Sequence, residues 1–203
     1  QGIETDIIFL HASDETLLQR YRESRRRHLL AELGMQLRAA IESERAILAE
    51  IELSADLIID TSATSIYELA ETIRSRVDRR ETGSLSVLIE SFGFKYGIPA
   101  DADFVFDLRS LPNPYGTIKL RGVTGLDAEV QTFLDAQEAF GKMFDDIRRF
   151  LAHWVPHYRE ASRGYMTIAI GCTGGQHRSV YMVEKLAAAL RDIHEPVLTR
   201  HNT

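Results

Sequence analysis

The chain has little cysteine or proline and no long apolar segment. Its 203 residues include one cysteine, Cys172, and five prolines. A single cysteine excludes an internal disulfide and a cysteine-rich metal site, so we expect no bound metal and a reducing, cytoplasmic environment. No segment reads as a signal peptide or is apolar over the thickness of a membrane, so we expect no membrane partner.

Charge and size restrict the function further. The formal net charge of −6 argues against a surface coated with cations for nucleic acid, although a local basic patch is compatible with it. With 203 residues and 44% hydrophobic content, the chain is long enough to bury a full core. That core could belong to one large domain or to two small ones.

Short apolar runs alternate with helical patterns along the whole chain. The predicted strands are residues 6–10, 55–60, 85–90, 104–108, 165–170 and 197–200. The predicted helices are residues 14–25, 29–51, 61–76, 128–157 and 179–191, with a helical turn near 92–98. This alternation predicts an α/β fold with a mostly parallel sheet and helices on its faces.

The polar segment 78–83 predicts a boundary between two domains. Its residues are mostly charged and it ends at Gly83, which is typical of a linker. We therefore expect a first domain over residues 1–80 and a second, ligand-binding α/β domain over residues 84–203. Because two parts of this size leave apolar faces exposed, we also expect a homo-oligomer.

The segment from Tyr165 to Ser179 is the most informative in the chain. A predicted strand is followed by Gly171, two more glycines stand at positions 174 and 175, and a helical pattern begins at Ser179. A glycine-rich turn before a helix directs several backbone N–H groups and the helix dipole at one point, which favours an anion, most often phosphate. The predicted phosphate-binding residues are Thr173, Gly174, Gly175, Gln176, His177, Arg178 and Ser179.

The same segment contains a cysteine at an informative spacing. Cys172, five intervening residues, Arg178 and Ser179 form the C-x5-R-S signature of cysteine-dependent phosphatases. In that mechanism the Cys172 thiolate attacks phosphorus, and the helix N-terminus and Arg178 lower the thiol pKa. No aspartate is marked by a motif as the general acid that the reaction needs. Two interpretations therefore stay open, a nucleophilic Cys172 and a small buried residue at a strand end.

Further polar side chains follow the other predicted strands. Ligands of parallel α/β sheets bind at the carboxyl ends of the strands, so we expect the four strand ends of the second domain to share one edge. The candidates for the rest of the pocket are Lys95, Arg109, Asn113, Tyr115 and His201. The expected ligand is a small phosphorylated metabolite, with its anionic end in the glycine turn and its hydroxyl or amino groups near these side chains.

Several ordered motifs resemble those of one family. They are residues 89–99, 101–103, 107–109, 111–114, 124–127 and 170–180. Together they resemble the RapZ family, also known as the YvcJ family of nucleotide-binding proteins, over essentially the whole chain. The resemblance implies an N-terminal P-loop kinase-like domain, ATP- and GTP-hydrolysing in some members, and a C-terminal domain that senses glucosamine-6-phosphate. It also implies small regulatory RNAs and an endoribonuclease as partners.

The chain departs from the family pattern at both ends. It contains no G-x-x-x-x-G-K-[ST] motif, and its first strand resembles a later strand of the kinase-like domain. We therefore expect a fragment without the Walker A segment, in which ATP or GTP is a cofactor only where that segment is present. Arg25, Arg26 and Arg27 resemble the family's arginine-rich segment. Residues 200–203 lack the lysine- and arginine-rich tail of the RNA-binding members.

Three functions are compatible with these observations. The favoured one is a metabolite-sensing regulator whose C-terminal domain binds a glucosamine-6-phosphate-like amino sugar without turnover, so that no residue is catalytic. The first alternative is a cysteine-dependent phosphatase with Cys172 as its nucleophile. The second is an RNA-binding adapter, which would hydrolyse ATP and GTP in its full-length form.

Overall fold

The computed structural model describes residues 5–24, 28–78, 84–161 and 163–202. Residues 79–83 of the predicted linker and the arginines at positions 25–27 lie outside these ranges. The chain divides into two compact units, Gln1–Ile73 and Arg74–Thr203, which we call the first and second units. Among the described helices, none is both long and apolar enough to cross a membrane.

The described part of the first unit contains a two-stranded parallel sheet and three α-helices. Its elements are β1 (Ile8–His11), α1 (Asp14–Ser24), α2 (Leu37–Leu53), β2 (Leu57–Asp60) and α3 (Ile66–Ile73). Ile8 of β1 lies opposite Leu57 of β2. The hydroxyl of Ser13 accepts a hydrogen bond from the amide of Thr16 at 3.2 Å, so it satisfies one of the free amides at the start of α1.

A four-stranded sheet forms the centre of the second unit. Its strands are β3 (Ser86–Gly93), β4 (Phe104–Asp107), β5 (Tyr165–Cys172) and β6 (Val197–His201). They lie in the order β4-β5-β3-β6, and every neighbouring pair is parallel. All residues of the two central strands are buried, which explains their nearly continuous apolar sequences. The predicted α/β class with parallel strands is confirmed.

The carboxyl ends of the four strands meet at one edge of this sheet, as predicted. Gly93 lies opposite Cys172 at the ends of β3 and β5. Asp107, the last residue of β4, lies opposite Gly171. The predicted end of β3 at Glu90 is wrong, because the next three residues continue the pairing with β5 and are buried.

Three α-helices lie in the described part of the second unit: α4 (Ala128–Asp135), α5 (Glu138–Glu160) and α6 (Arg178–Arg191). The single helix predicted over residues 128–157 is therefore wrong. Leu134 and Phe140 are both fully buried, yet in a continuous helix two residues six positions apart would point about 120° away from each other. The extended backbone of Gln137, with φ −95° and ψ 109°, separates the two helices and lets both side chains enter the core.

The apolar core of the second unit lies on one face of the sheet. Alternate side chains of the strands, such as Val87 and Ile89 of β3, pack there with buried residues of all three helices. α6 contacts three of the strands, β3, β5 and β6. Because α6 begins where the loop after β5 ends, this packing holds the helix N-terminus at the edge where the strands end.

The other face of β3 and β5 is buried but polar. Arg76 donates a hydrogen bond to Thr167 Oγ1 at 2.8 Å, and burial lowers the pKa of Arg76 to about 10. Nη2 of Arg200 lies 2.5 Å from Glu90 Oε2 and 3.0 Å from Asp101 Oδ2. The pairing with Arg200 offsets part of the cost of burying the Glu90 carboxylate, but burial still raises the pKa of Glu90.

Candidate anion-binding site

A sharp turn brings residues 172–179, which we call the 172–179 loop, against the end of β3. Gly175 has φ +77°, a conformation that residues with a side chain rarely adopt. A methyl group on Gly93 would lie 2.8 Å from the carbonyl carbon of Gly174 and 3.0 Å from the amide nitrogen of Gly175. Glycines at these positions therefore allow two backbones to touch, and they explain the clustering of glycine in the sequence.

Neighbouring loops occupy carbonyl groups of the 172–179 loop. The carbonyl of Thr173 accepts a hydrogen bond from the Lys95 amide at 3.3 Å, and the carbonyl of Gln176 accepts one from the Gly125 amide at 2.9 Å. Five amides of the loop, by contrast, donate to no group in the described part of the chain. They belong to Thr173, Gly174, Gln176, His177 and Arg178. The loop therefore has an excess of free donors, as anion sites do.

The side chain of Cys172 lies at the base of the loop and is 3% exposed. Its Sγ is 3.2 Å from Oγ of Ser179. Burial raises the pKa of the thiol, but hydrogen bonds from the Ser179 hydroxyl and from the amides of Ser179 and Gly175, with the charge of Arg178, lower the pKa below its usual value. Two amides of the loop thus contribute to the lowered pKa of the thiol.

Arg178, the first residue of α6, is 3% exposed and is held by the loop after β4. Its Nη1 donates to the carbonyls of Leu108, Arg109 and Leu111 at 3.2, 3.2 and 2.8 Å. Its Nη2 lies 3.4 Å from Thr173 Oγ1, and its Nε is buried with no partner among the described residues. The Nε–Nη2 edge is therefore the one that can donate two parallel hydrogen bonds to an oxyanion.

The remaining side chains of the loop differ in direction. His177 is buried, with Nε2 2.8 Å from the carbonyl of Leu120, so its ring contacts the chain between β4 and α4. Thr173 and Gln176 are exposed. An anion in this loop would therefore meet backbone amides and Arg178 first.

The end of β4 adds a carboxylate that the sequence analysis missed. Oδ2 of Asp107 accepts hydrogen bonds from Nε and Nη2 of Arg109 at 2.9 and 2.7 Å. The same guanidinium lies 3.8 Å from the centre of the Phe94 ring. Hydrogen bonding from Arg109 holds the pKa of Asp107 below its usual value, so this carboxylate is ionised at neutral pH. The available signals were its position at the end of a strand and its place in the motif 107–109.

Lys95, Asn113 and Tyr115 are exposed residues of loops that follow β3 and β4. Nζ of Lys95 lies 4.4 Å from the centre of the Tyr96 ring. Oδ1 of Asn113 accepts a hydrogen bond from the Tyr115 amide at 3.3 Å, and Arg121 lies 5.1 Å from the Tyr115 ring. Of these three residues, only Lys95 forms a hydrogen bond with the 172–179 loop within the described ranges, and it does so through its backbone amide.

His201, the last residue of β6, is turned toward α6. Its Nδ1 lies 2.9 Å from Ser91 Oγ, and its Nε2 lies 3.1 Å from Glu184 Oε1. Both ring nitrogens are thus engaged by protein groups. In the sheet order, β6 lies beside β3 on the side away from β5. Of the strands that carry or precede predicted site residues, the strand of His201 is therefore the farthest from β4.

The chemistry of the site follows from these groups. It offers free amides, one edge of a buried guanidinium, a thiol of lowered pKa and, at the end of β4, a carboxylate paired with an arginine. No three His, Cys, Asp or Glu residues of the described ranges are grouped as metal ligands would be. This set of groups suits an oxyanion whose remaining atoms are polar.

Known proteins resemble the chain over both units. Residues 1–81 match the RapZ-like N-terminal domain and residues 85–203 match the RapZ C-terminal domain. A nucleotide-binding protein of Thioalkalivibrio sulfidiphilus is 48% identical over 202 residues, which cover 99% of this chain and 71% of that protein. A nucleotide-binding protein of Alkalilimnicola ehrlichii is 46% identical over 200 residues, which cover 98% of this chain and 69% of that protein. As its motifs predicted, the chain belongs to the RapZ family.

Proposed function

We propose that the second unit binds a phosphorylated amino sugar of the glucosamine-6-phosphate type and acts as a metabolite sensor. The observation that supports this most is Nε of Arg178, which is buried without a described partner next to the free amides of the 172–179 loop. An unsatisfied buried polar atom costs about 1–3 kcal/mol, and a phosphate oxygen would supply the missing acceptor. Binding would therefore complete the hydrogen bonding of the loop.

The sugar would meet the loops at the other strand ends. The ionised carboxylate of Asp107 would attract the ammonium group of an amino sugar, and exposed polar side chains nearby would hydrogen-bond its hydroxyl groups. The side chains proposed for this part of the pocket are Lys95, Arg109, Asn113, Tyr115 and His201. Recognition of both the phosphate and the ammonium group would separate an amino-sugar phosphate from other phosphosugars.

Binding without turnover is the form of the proposal that the site supports. Hydrolysis of a sugar phosphate requires a proton on the departing alkoxide oxygen. Asp107 is the carboxylate at the end of β4, and its lowered pKa keeps it ionised and unable to supply that proton at neutral pH. The site therefore suits a sensor, whose signal would be a change in conformation or assembly.

Calorimetric titration with glucosamine-6-phosphate tests the proposal. We expect one saturable site in the intact chain and loss of binding in Arg178→Ala. Arg149 provides a matched control, because it is an exposed arginine of α5 that pairs with Asp146 on the same helix. Arg149→Ala should bind as tightly as the unmodified chain.

Two results would contradict the proposal. No heat of binding with glucosamine-6-phosphate and with a panel of other phosphosugars would exclude the ligand class. Equal losses in Arg178→Ala and Arg149→Ala would show that binding does not use the 172–179 loop. Because Arg178 also holds the loop after β4, circular dichroism of Arg178→Ala must first show that the variant is folded.

A cysteine-dependent phosphatase is a second candidate, supported by the lowered pKa of Cys172. The thiolate would attack phosphorus while the amides and Arg178 stabilise the phosphoryl oxygens. Without a general acid, such a site would act only on esters whose leaving group departs without a proton. A chromogenic aryl phosphate tests this: turnover that is lost in Cys172→Ser supports the candidate, and no turnover by the unmodified chain excludes it.

The family relationship supports further proposals about the whole protein. We propose that nucleotide binding, stated in the names of the relatives, extends to this protein as ATP or GTP binding by its N-terminal domain where the Walker A segment is present. We also propose a cytoplasmic homo-oligomer that regulates a small RNA and an endoribonuclease. Titration with ATP and GTP tests the first point. A gel shift at rising salt tests RNA binding, because affinity that depends on phosphate contacts falls steeply with ionic strength.

A further inference from the structure

Cys172 is a buried nucleophile that a sensor does not need, and it is the only cysteine of the chain. We propose that Cys172 is an oxidation site for hydrogen peroxide and related hydroperoxides, and that the sulfenic acid formed there prevents anion binding by the 172–179 loop. The effect on anion binding deepens the proposed function and rests on it. The oxidation site itself is argued from the groups around the sulfur atom and does not depend on anion binding.

The groups around Sγ stabilise a thiolate. The hydroxyl of Ser179 is 3.2 Å away, and Cys172 begins the loop that leads into the N-terminus of α6. These donors and the positive charge of Arg178 outweigh burial and lower the thiol pKa. A thiolate is the form of cysteine that reacts with peroxides.

Arg178 provides an independent indication of a reacting oxygen. Arg178 is only 3% exposed, and its Nε has no partner in the described ranges. Its Nη2 reaches Thr173 Oγ1, which places the guanidinium over the start of the loop. A peroxide oxygen that accepts a hydrogen bond from this edge would be polarised toward departure.

The oxidation step balances without a metal or a second cofactor. The Cys172 sulfur attacks one peroxide oxygen, an S–O bond forms and the O–O bond breaks. Sulfur is oxidised by two electrons, the peroxide is reduced, and the second oxygen leaves as hydroxide, which takes a proton from solvent to become water. Because the chain has no second cysteine, reduction of the sulfenic acid would require an external thiol. That reduction would pass through a mixed disulfide between Cys172 and the external thiol.

The product would compete with phosphate for the same donors. The sulfenic oxygen would be bonded directly to Sγ, which lies 3.2 Å from Ser179 Oγ at the base of the loop whose free amides would hold the phosphate. A phosphate that uses the loop amides would in turn cover the sulfur. The two occupants therefore exclude each other. The other charged groups near the ends of the strands are Lys95, Asp107 and Arg109. The His177 ring contacts the carbonyl group of Leu120.

The experiment exposes the intact, reduced chain to hydrogen peroxide with dimedone, which traps sulfenic acids, and follows the adduct by mass spectrometry. At neutral pH we expect Cys172 to react faster than a free cysteine derivative, because its lowered pKa gives it a larger thiolate fraction. Ser179→Ala removes one donor to the sulfur and should slow the reaction. Saturating inorganic phosphate should slow it in the unmodified chain.

A pH profile separates this role from a merely structural one. Below its pKa a free thiol loses about tenfold in rate for each pH unit, because its thiolate fraction falls. The rate for Cys172 should begin to fall at a lower pH than the rate for the free thiol, and Ser179→Ala should move the profile toward that of the free thiol. Cys172→Ser should give no adduct at any pH.

Each clause has its own contradicting result. A rate no greater than that of the free thiol, or one unchanged by Ser179→Ala, overturns the oxidation site. Oxidised protein that binds inorganic phosphate as tightly as reduced protein, measured by calorimetry, overturns the exclusion. If reduced protein binds neither phosphate nor phosphosugar but Cys172 still reacts rapidly, the proposed function fails while the oxidation site stands.

Discussion

Gly93 and Gly175 lie in backbone contact, because a methyl group on Gly175 would be 2.8 Å from the amide nitrogen of Gly93. This contact joins the end of β3 to the 172–179 loop at the centre of the sheet edge. It determines how close the loop lies to the strand, and therefore where the free amides of the loop are placed.

Gly93→Ala should lower the free energy of unfolding by about 2–3 kcal/mol. The new methyl group would lie 2.8 Å from the carbonyl carbon of Gly174, and neither backbone can move without disturbing the pairing of β3 with β5. Chemical denaturation of both proteins measures the difference. Gly122→Ala is the matched control, because a methyl group there meets nothing within 4 Å. Equal effects of the two substitutions would contradict the close contact.

Gly141→Ala should raise the free energy of unfolding by about 0.5–1 kcal/mol. Gly141 lies in the first part of α5, where alanine restricts the unfolded chain more than glycine does and a methyl group has open space around it. Thermal denaturation followed by circular dichroism should show a higher midpoint. A lower midpoint would mean that α5 is not helical at this position.

Glu90→Ala should destabilise the second unit by about 3 kcal/mol, because it removes a fully buried carboxylate from its ion pair with Arg200. A double-mutant cycle with Arg200→Ala should give a coupling energy of about 1 kcal/mol or more. Glu138 serves as the control, since its pair with Lys142 is exposed and Glu138→Ala should change stability by less than about 1 kcal/mol. Similar costs at both positions would contradict the buried pair.

Tyr181 should ionise only at strongly alkaline pH. Burial and the hydrogen bond that its hydroxyl donates to Asp135 at 2.7 Å raise its pKa to about 12. In the unfolded chain the pKa is about 10, so the contribution of the protonated hydroxyl to stability is complete below about pH 10 and is lost as pH rises toward 12. Denaturation at several alkaline pH values should therefore show the unmodified chain losing its advantage over Tyr181→Phe.

Tyrosinate absorbance provides a direct measurement of the same group. The titration of Tyr181→Phe should lack the component near pH 12 that the unmodified chain shows. Asp135→Asn should move that component to lower pH, because it removes the negative charge that opposes ionisation. A component that stays in place in Asp135→Asn would contradict the assignment.

Much of the fold was predictable from spacing within short segments. The strands of the second unit are apolar runs, and their order along the chain indicated a parallel sheet. The break between α4 and α5 was not predictable, because Phe133 and Phe140 are seven positions apart and keep helical spacing across it. The need to bury Leu134 together with Phe140 ends the first helix, and that need arises only against the sheet.

The candidate site, too, was only partly predictable from the sequence. The 172–179 loop was recognised because its glycines, Cys172 and Arg178 are close in sequence. Asp107 lies in the family motif 107–109, but it was missed as a site residue because a single carboxylate at a strand end has no spacing that indicates its chemical role. The carbonyl of Leu111 that holds Arg178 is 67 positions away from it in the chain, so no local pattern could reveal the contact.

Residue order alone was sufficient for the alternation of strands and helices, the glycine turn and the family, because each depends on spacing between near neighbours. Contacts between distant segments set which atoms of the site are free. Three carbonyls after β4 occupy Nη1 of Arg178, and Nε stays without a described partner. The physical reason is that a side chain's hydrogen-bond partners are chosen by the packing of the folded chain, where residues far apart in sequence become adjacent.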